Sequence, residues 1–180
     1  MKIQFGEYFI RSFKMSDVKS MAKYANNYNI YKRLRDYFPN PYTEKEAKVW
    51  LKYVLSQVPE TNFAIATKDE LIGSIGFTIL KDVNRYSAEI GYWLAEPFWG
   101  KGIASEALSQ LTQFAFSKFE LNRIFAGVFE GNSASIKVLE KAGYKFEGKH
   151  RKAVFKGGKF LDYFVYSILK EELPNRQNEN

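Results

Sequence analysis

Two glycines one residue apart, Gly100 and Gly102, follow the apolar run Ile90-Gly91-Tyr92-Trp93-Leu94-Ala95 and Pro97, and open straight into a helical pattern. A strand that delivers glycines to a helix N-terminus gathers unpaired backbone N–H groups in one place, with the positive end of the helix dipole behind them. Such a place binds an anion, most simply a phosphate. The rest of the chain reads as scaffold, clamp and pocket around it.

Charge points the same way. The formal net charge is +7, and basic residues crowd late, at Lys137, Lys141, Lys145, Lys149, Arg151, Lys152, Lys156 and Lys159. This field favours a polyanionic partner, either a phosphorylated cofactor or a nucleic acid, although any one of these lysines also fits a solvated basic face. The sequence has no cysteine, which excludes disulfides, thiolate metal sites and a cysteine nucleophile and suits a reducing compartment. A single histidine, His150, argues against a histidine metal site. The N-terminus lacks the apolar core of a signal peptide, and no run reaches the roughly 20 apolar residues of a membrane span. The expectation is a cytoplasmic protein with no membrane partner. The 180 residues, 46% hydrophobic, suit one globular domain that buries about two thirds of its unfolded surface.

The elements that must position the glycine turn follow from periodicity. Tyr8 to Phe13 alternates as a first strand, and Ser16 caps a helix with Val18, Met21, Ala22 and Ala25 on one face, ended by Asn26 and Asn27. An aromatic-rich loop (Tyr28, Tyr31, Tyr37, Phe38, Tyr42) leads to a capping box, Thr43 with Glu46, and a second helix running to about Val58 before Pro59. Asn62 to Thr67, Leu71 to Leu80 and the strand that follows Arg85 form an antiparallel meander. After the glycine turn, Ile103, Ala107, Leu108, Leu111 and Ala115 share a helix face, and Arg123 to Phe129 is the next strand, parallel to the one before the helix. Asn132 or Ser133 caps a further helix with Ile136, Leu139 and Ala142 inward and Gly143 at its end. Tyr144 to Phe155 and Phe160 to Leu169 flank the hairpin turn Gly157-Gly158. The fold class is α+β, a mixed and mostly antiparallel sheet with one parallel pair and about four helices, in a single domain over 1–173. The polar, proline-started tail over 174–180 is expected to be disordered.

The order of these elements, the segment AEIGYWLAEPFWGKGIASEAL at 88–108, the segment NSASIKVLEKAGYKFEG at 132–148 and the ending DYFVYSILKEE together resemble the GNAT superfamily of acetyl-CoA-dependent N-acetyltransferases. Within it the likeness is to the ribosomal-protein N-terminal alanine/serine acetyltransferases. It extends from about Tyr8 to Leu173.

The resemblance implies acetyl-CoA as cosubstrate, no metal, and direct attack of a neutral amine on the thioester. Its pyrophosphate loop falls on Trp99, Gly100, Lys101, Gly102, Ile103, Ala104 and Ser105, with Trp99 standing where Arg or Gln is common. Small residues at 100, 102 and 104 let phosphates approach the backbone, and Lys101 adds charge. The strand positions Gly91, Tyr92, Trp93 and Leu94 match the family's bulged segment that pairs with the pantetheine arm, and a backbone N–H near Tyr92 becomes an oxyanion contact. Asn132 matches an asparagine that contacts the cofactor arm, and it is also a good helix cap.

The acceptor must shed a proton. An α-amine with a pKa of about 7.7–8.0 costs roughly 1 kcal/mol to deprotonate at pH 7, whereas a lysine near about 10.4 costs roughly 4–5 kcal/mol. Glu89, on the central strand, is the candidate base, acting directly or through water; its plain alternative is a structural strand glutamate bonded to a loop. The usual tyrosine acid, four residues before the helix-ending glycine, is replaced by Leu139, and Ser135 matches the serine proposed as proton donor in the ribosomal-type relatives. The acceptor pocket is expected between the first two helices, the aromatic loop and the last hairpin, and the acceptor is a primary amine, on a protein N-terminus or a small molecule. Ribosome association, a monomeric or homodimeric state, and two other classes, a non-catalytic acyl-CoA sensor and a basic nucleic-acid-binding domain, complete the set of readings.

Overall fold

The computed structural model describes residues 1–173; the segment 174–180, expected to be a disordered tail, lies outside the described residues. One sheet of eight strands organises the chain: β1 (Lys2–Phe5), β2 (Tyr8–Arg11), β3 (Asn62–Ala66), β4 (Leu71–Ile79), β5 (Ser87–Leu94), β6 (Arg123–Phe129), β7 (Lys145–Lys156) and β8 (Lys159–Leu169). Their order is β1-β2-β3-β4-β5-β6-β8-β7. Every pairing is antiparallel except β5 with β6, the mixed sheet with one parallel pair that the βαβ pattern predicts. Five helices accompany it: α1 (Val18–Ala25), α2 (Tyr28–Tyr31), α3 (Glu44–Leu55), α4 (Ile103–Lys118) and α5 (Ser133–Lys141).

Helix α4 joins the parallel pair. Its Ile103, Ala107, Leu108, Leu111 and Ala115 are buried against Ala88, Ile90 and Leu94 of β5 and Ile124, Ala126 and Val128 of β6. Burying a side chain such as Leu108 contributes about 1.5–3 kcal/mol. The other face of the sheet carries a second apolar cluster, in which Val18, Met21 and Ala25 of α1 and Ala47, Leu51 and Val54 of α3 meet Ala64 and Leu71, with Trp93 packed against them. β5 thus shows even-numbered residues to the α4 side and odd-numbered residues to the α1–α3 side, as strand alternation requires.

Four local expectations are corrected. β1, which alternates weakly, pairs with β2 through the turn at Gly6. Ser16 does not cap α1. Asp17 dominates that turn instead, accepting from the Lys14 backbone N–H at 2.8 Å and from Arg11 Nη1 and Nη2 at 2.8 and 2.7 Å, and a 3-10 turn over Met15–Asp17 leads into the helix. Within the aromatic loop, Asn27 caps the short α2 by accepting from the Asn29 N–H. The capping box of α3 forms, but the helix ends at Leu55 rather than near Val58, where the Ser56 hydroxyl turns back to the Tyr53 carbonyl at 2.8 Å. Val58 precedes a proline and is disfavoured from helical geometry.

Candidate active site

β5 and β6 pair through Ser87, Ala88 and Glu89, opposite Arg123, Ile124 and Phe125, and then separate. The separation needs no bulge. β5 stays in continuous register with β4 from Ala88 to Leu94, which corrects the bulge expected at Gly91. Parity shows what the separation exposes. Ala95 N–H donates to Ile72 and Leu80 N–H donates to Ser87, so odd-numbered β5 residues bond to β4 and the backbone groups of Tyr92 and Leu94 face the gap. On the far side, Lys170 N–H donates to Asn122 and Glu130 N–H to Asp162, so even-numbered β6 residues bond to β8 and the backbones of Gly127 and Phe129 face the same gap. The result is a V-shaped opening faced by peptide groups of both walls, of which the Leu94 carbonyl accepts from the Trp99 indole N–H at 2.7 Å and the Phe129 carbonyl from the Asn132 N–H at 3.1 Å.

The narrow mouth of a helix lies beyond the β5 wall. Gly100 and Gly102 have φ of 77° and 78°, a conformation that glycine adopts without penalty, and a Cβ on either would project into open space. Glu106 N–H donates to the Gly102 carbonyl at 3.1 Å, and the N–H groups of Ile103, Ala104 and Ser105 have no backbone acceptor among the described residues. Those donors at the N-terminus of a 16-residue helix fit an anion. The Trp99 indole N–H turns back to the Leu94 carbonyl at 2.7 Å, while the Arg33 guanidinium lies 5.0 Å from its ring centre. Glu96, before the loop, accepts from Asn27 at 2.7 Å and from Asn29 at 3.3 Å, bonds that hold its pKa below the ordinary glutamate value. The segment around α2 therefore braces the loop, a support that local periodicity did not reveal.

On the α4 side of the opening, Tyr92 Oη and Ser135 Oγ are 2.8 Å apart, and burial pushes the Tyr92 phenol up to about 12. Ser135 stands in the first turn of α5, whose cap Asn132 accepts from the Ser135 N–H at 3.4 Å. Leu139 is fully buried. Tyr144, just after α5, is 2% exposed and hydrogen-bonded to Thr112 Oγ1 at 2.7 Å, and burial raises its pKa.

The opposite face carries the carboxylate. Glu89 Oε1 is ion-paired with Arg35 Nη2 and accepts from Tyr163 Oη at 3.4 Å. Burial and the neighbouring carboxylate raise the Tyr163 phenol above its ordinary pKa. Tyr163 lies across Gly127, where a Cβ would fall 1.6 Å from the phenol oxygen; only glycine fits. Beside this group is a cleft of about 480 Å³ lined by Arg35, Asp36, Phe129, His150, Ala153, Val154, Phe155, Lys156 and Tyr163. It lies between the loop after α2 and the β7–β8 hairpin, within the region expected for the acceptor pocket. Lys156 is buried there, 2.6 Å from Asp36 and 3.8 Å from the Tyr31 ring centre. Phe38 and Tyr42 instead pack with Trp93 against the second core cluster.

The structure therefore gathers Gly91, Tyr92, Leu94, Asn132 and Ser135 around the opening, with Gly100, Lys101, Gly102, Ile103, Ala104 and Ser105 at the mouth of α4. Trp93 points into the α1–α3 packing and Trp99 braces the loop. Arg33, Arg35 and Tyr163 join the site without having been singled out by sequence. Among the described residues, no group of three or more His, Cys, Asp or Glu stands together as a metal site.

Comparison with known proteins fixes the class. The chain belongs to the GNAT acetyltransferases: residues 8–145 match the acetyltransferase (GNAT) domain. It is 33% identical over 169 residues, 91% of this chain and 93% of the relative, to an uncharacterized N-acetyltransferase of Bacillus licheniformis. It is 43% identical over 102 residues, 57% of this chain and 55% of the relative, to the putative ribosomal N-acetyltransferase YdaF of Bacillus subtilis (strain 168). A solved acetyltransferase (GNAT family) from Bacillus anthracis shares 26% identity, with a TM-score of 0.82 over 95% of this chain and 99% of that one. The protein is an acyltransferase of the N-acetyltransferase class.

Proposed function

We propose that this enzyme transfers acetyl from acetyl-CoA to the α-amine of a protein N-terminus, with a ribosomal protein as the acceptor. The observation that carries the reading is the cleft beside Glu89. Its charged lining is Arg35, Asp36 and Lys156, and Asp36 is already neutralised by Lys156. A polyamine or aminoglycoside needs several free carboxylates, which this lining lacks, whereas one amine needs a single carboxylate and room for a chain. The name of the relative YdaF agrees with a ribosomal acceptor.

In this reading the N–H groups from Gly100 to Ser105 hold the pyrophosphate, and the β5 backbone at Tyr92 and Leu94 pairs with the pantetheine arm. The open space beside Gly100 and Gly102 and the free donors of α4 fit that group. Acetyl-CoA supplies an activated acyl carbon. The Tyr92 N–H stabilises the oxyanion, and Glu89 takes the amine proton directly or through water. Glu89 on one face and Ser135 on the other separate the incoming amine from the departing sulfur. The test is mass spectrometry of ribosomal proteins incubated with enzyme and acetyl-CoA. Acetyl on an α-amine supports the reading; acetyl confined to lysine side chains, or none, refutes it.

A further inference from the structure

We infer that the side chain of Tyr92 is a positioning residue for the leaving group: its phenol donates to Ser135 Oγ and so directs the Ser135 proton toward the departing sulfur. The inference rests on reading the β5–β6 opening as the channel of the pantetheine arm. It assigns the Tyr92 side chain a task separate from that of its backbone.

Three observations carry it. The two oxygens are 2.8 Å apart, on elements that meet across the opening. Helix α5 supplies no phenol of its own one turn further on, because Leu139 stands there fully buried. Tyr92 is packed against the α4-side core, which fixes its ring, while Ser135 keeps partial exposure and remains reachable.

Proton direction follows from acidity. Either hydroxyl can donate across the 2.8 Å contact, and the Ser135 carbonyl also lies 3.4 Å from Tyr92 Oη; the phenol, far more acidic than an alcohol, is the better donor, and Oγ is its nearer acceptor. With Oγ accepting, the serine proton is free to rotate toward a third atom. Burial holds the Tyr92 phenol at about 12, so it stays protonated at neutral pH. A phenol that basic does not surrender its proton to a thiolate whose thiol titrates near about 8.5. Tyr92 and Ser135 therefore act as a chain of hydrogen-bond donors. As the N–C bond forms and the C–S bond breaks, sulfur keeps the bonding pair, Ser135 donates a hydrogen bond to it, and Tyr92 donates to Ser135. The proton shed by nitrogen passes to Glu89, directly or through water, and from there to solvent, and a solvent proton completes the thiol.

The test uses CoA itself. Its bound thiol is titrated by thiolate absorbance in wild type, Tyr92→Phe, Ser135→Ala and the double variant, with affinity measured by calorimetry and folding by circular dichroism. Each single substitution should lower thiol ionisation at fixed pH by roughly tenfold while affinity changes less than about threefold. The double variant should lose no more than the worse single one, because the two residues act as a unit. An unmoved thiol in folded Tyr92→Phe, or two losses that multiply, overturns the inference alone. Wild type that fails to bind CoA overturns the channel reading as well.

Discussion

Glu89 of β5 and Arg35 of the loop after α2, 54 residues apart in sequence, are ion-paired at the point where β5 leaves β6. The Arg35 side chain is half exposed, so the pair contributes at most about 1 kcal/mol to stability. Its placement suits an exchange in which an acceptor amine takes the place of the guanidinium. Glu89→Gln should reduce turnover by about 10- to 100-fold at pH 7, where an α-amine with a pKa of about 7.7–8.0 is mostly protonated. The deficit should shrink above about pH 9, where the amine is already neutral. A pH–rate profile decides: an equal loss at every pH makes Glu89 a structural partner of Arg35.

Gly102 tests the anion site. A side chain at φ 78° costs about 1–2 kcal/mol, which a domain of ordinary stability survives, and a carboxylate there faces the donors of α4. Gly102→Glu should stay folded by circular dichroism and lose at least roughly 100-fold in acetyl-CoA affinity by calorimetry.

The buried phenols predict alkaline lability. Burial raises Tyr42, Tyr92 and Tyr144 above the ordinary value of 10.0, Tyr92 to about 12. A phenol whose folded pKa is raised stabilises the fold fully below the unfolded pKa and loses that contribution as pH rises through the folded one. Between pH 10 and 12 Tyr92 alone should withdraw about 2–3 kcal/mol, and Tyr92→Phe should flatten that part of a denaturation-midpoint profile against pH.

A bulge beside the cleft lined by His150 and Val154 stores strain. Between the pairs His150 with Tyr163 and Val154 with Leu161, β7 carries extra residues, and Lys152 sits there at φ 53° with its N–H donating to Asp162 Oδ1 at 2.9 Å. Lys152→Gly removes about 1–2 kcal/mol of strain against about 0.5–1 kcal/mol of added chain entropy. It should raise the urea midpoint by a net stabilisation of roughly 0.5–1 kcal/mol with unchanged slope.

The parts of this molecule governed by local rules were legible in the sequence. Strand β6 falls on Arg123–Phe129 as expected, the Thr43–Glu46 capping box forms, and Gly157 and Gly158 take φ of 58° and 77° in the hairpin turn. Ser16 misled because the Arg11 guanidinium, brought near by β2, makes Asp17 the hub of that turn. The bulge expected at Gly91 was unnecessary because β5 leaves β6 without losing register with β4. Arg35 and Tyr163 escaped notice for a related reason: they reach Glu89 across 54 and 74 residues, and nothing in their own neighbourhoods marks them. Gly127 carries no turn signal either, and its requirement for glycine exists only because Tyr163 of another strand lies on it.

The most direct test of an α-amine acceptor in the cleft beside Glu89 is CoA release from acetyl-CoA, monitored by thiol detection, with N-terminal peptides of ribosomal proteins, the same peptides with blocked α-amines, polyamines, aminoglycosides and free amino acids as parallel acceptors. Release with free-amine peptides that vanishes on blocking is the predicted result. Release with polyamines or aminoglycosides and none with the peptides would contradict it.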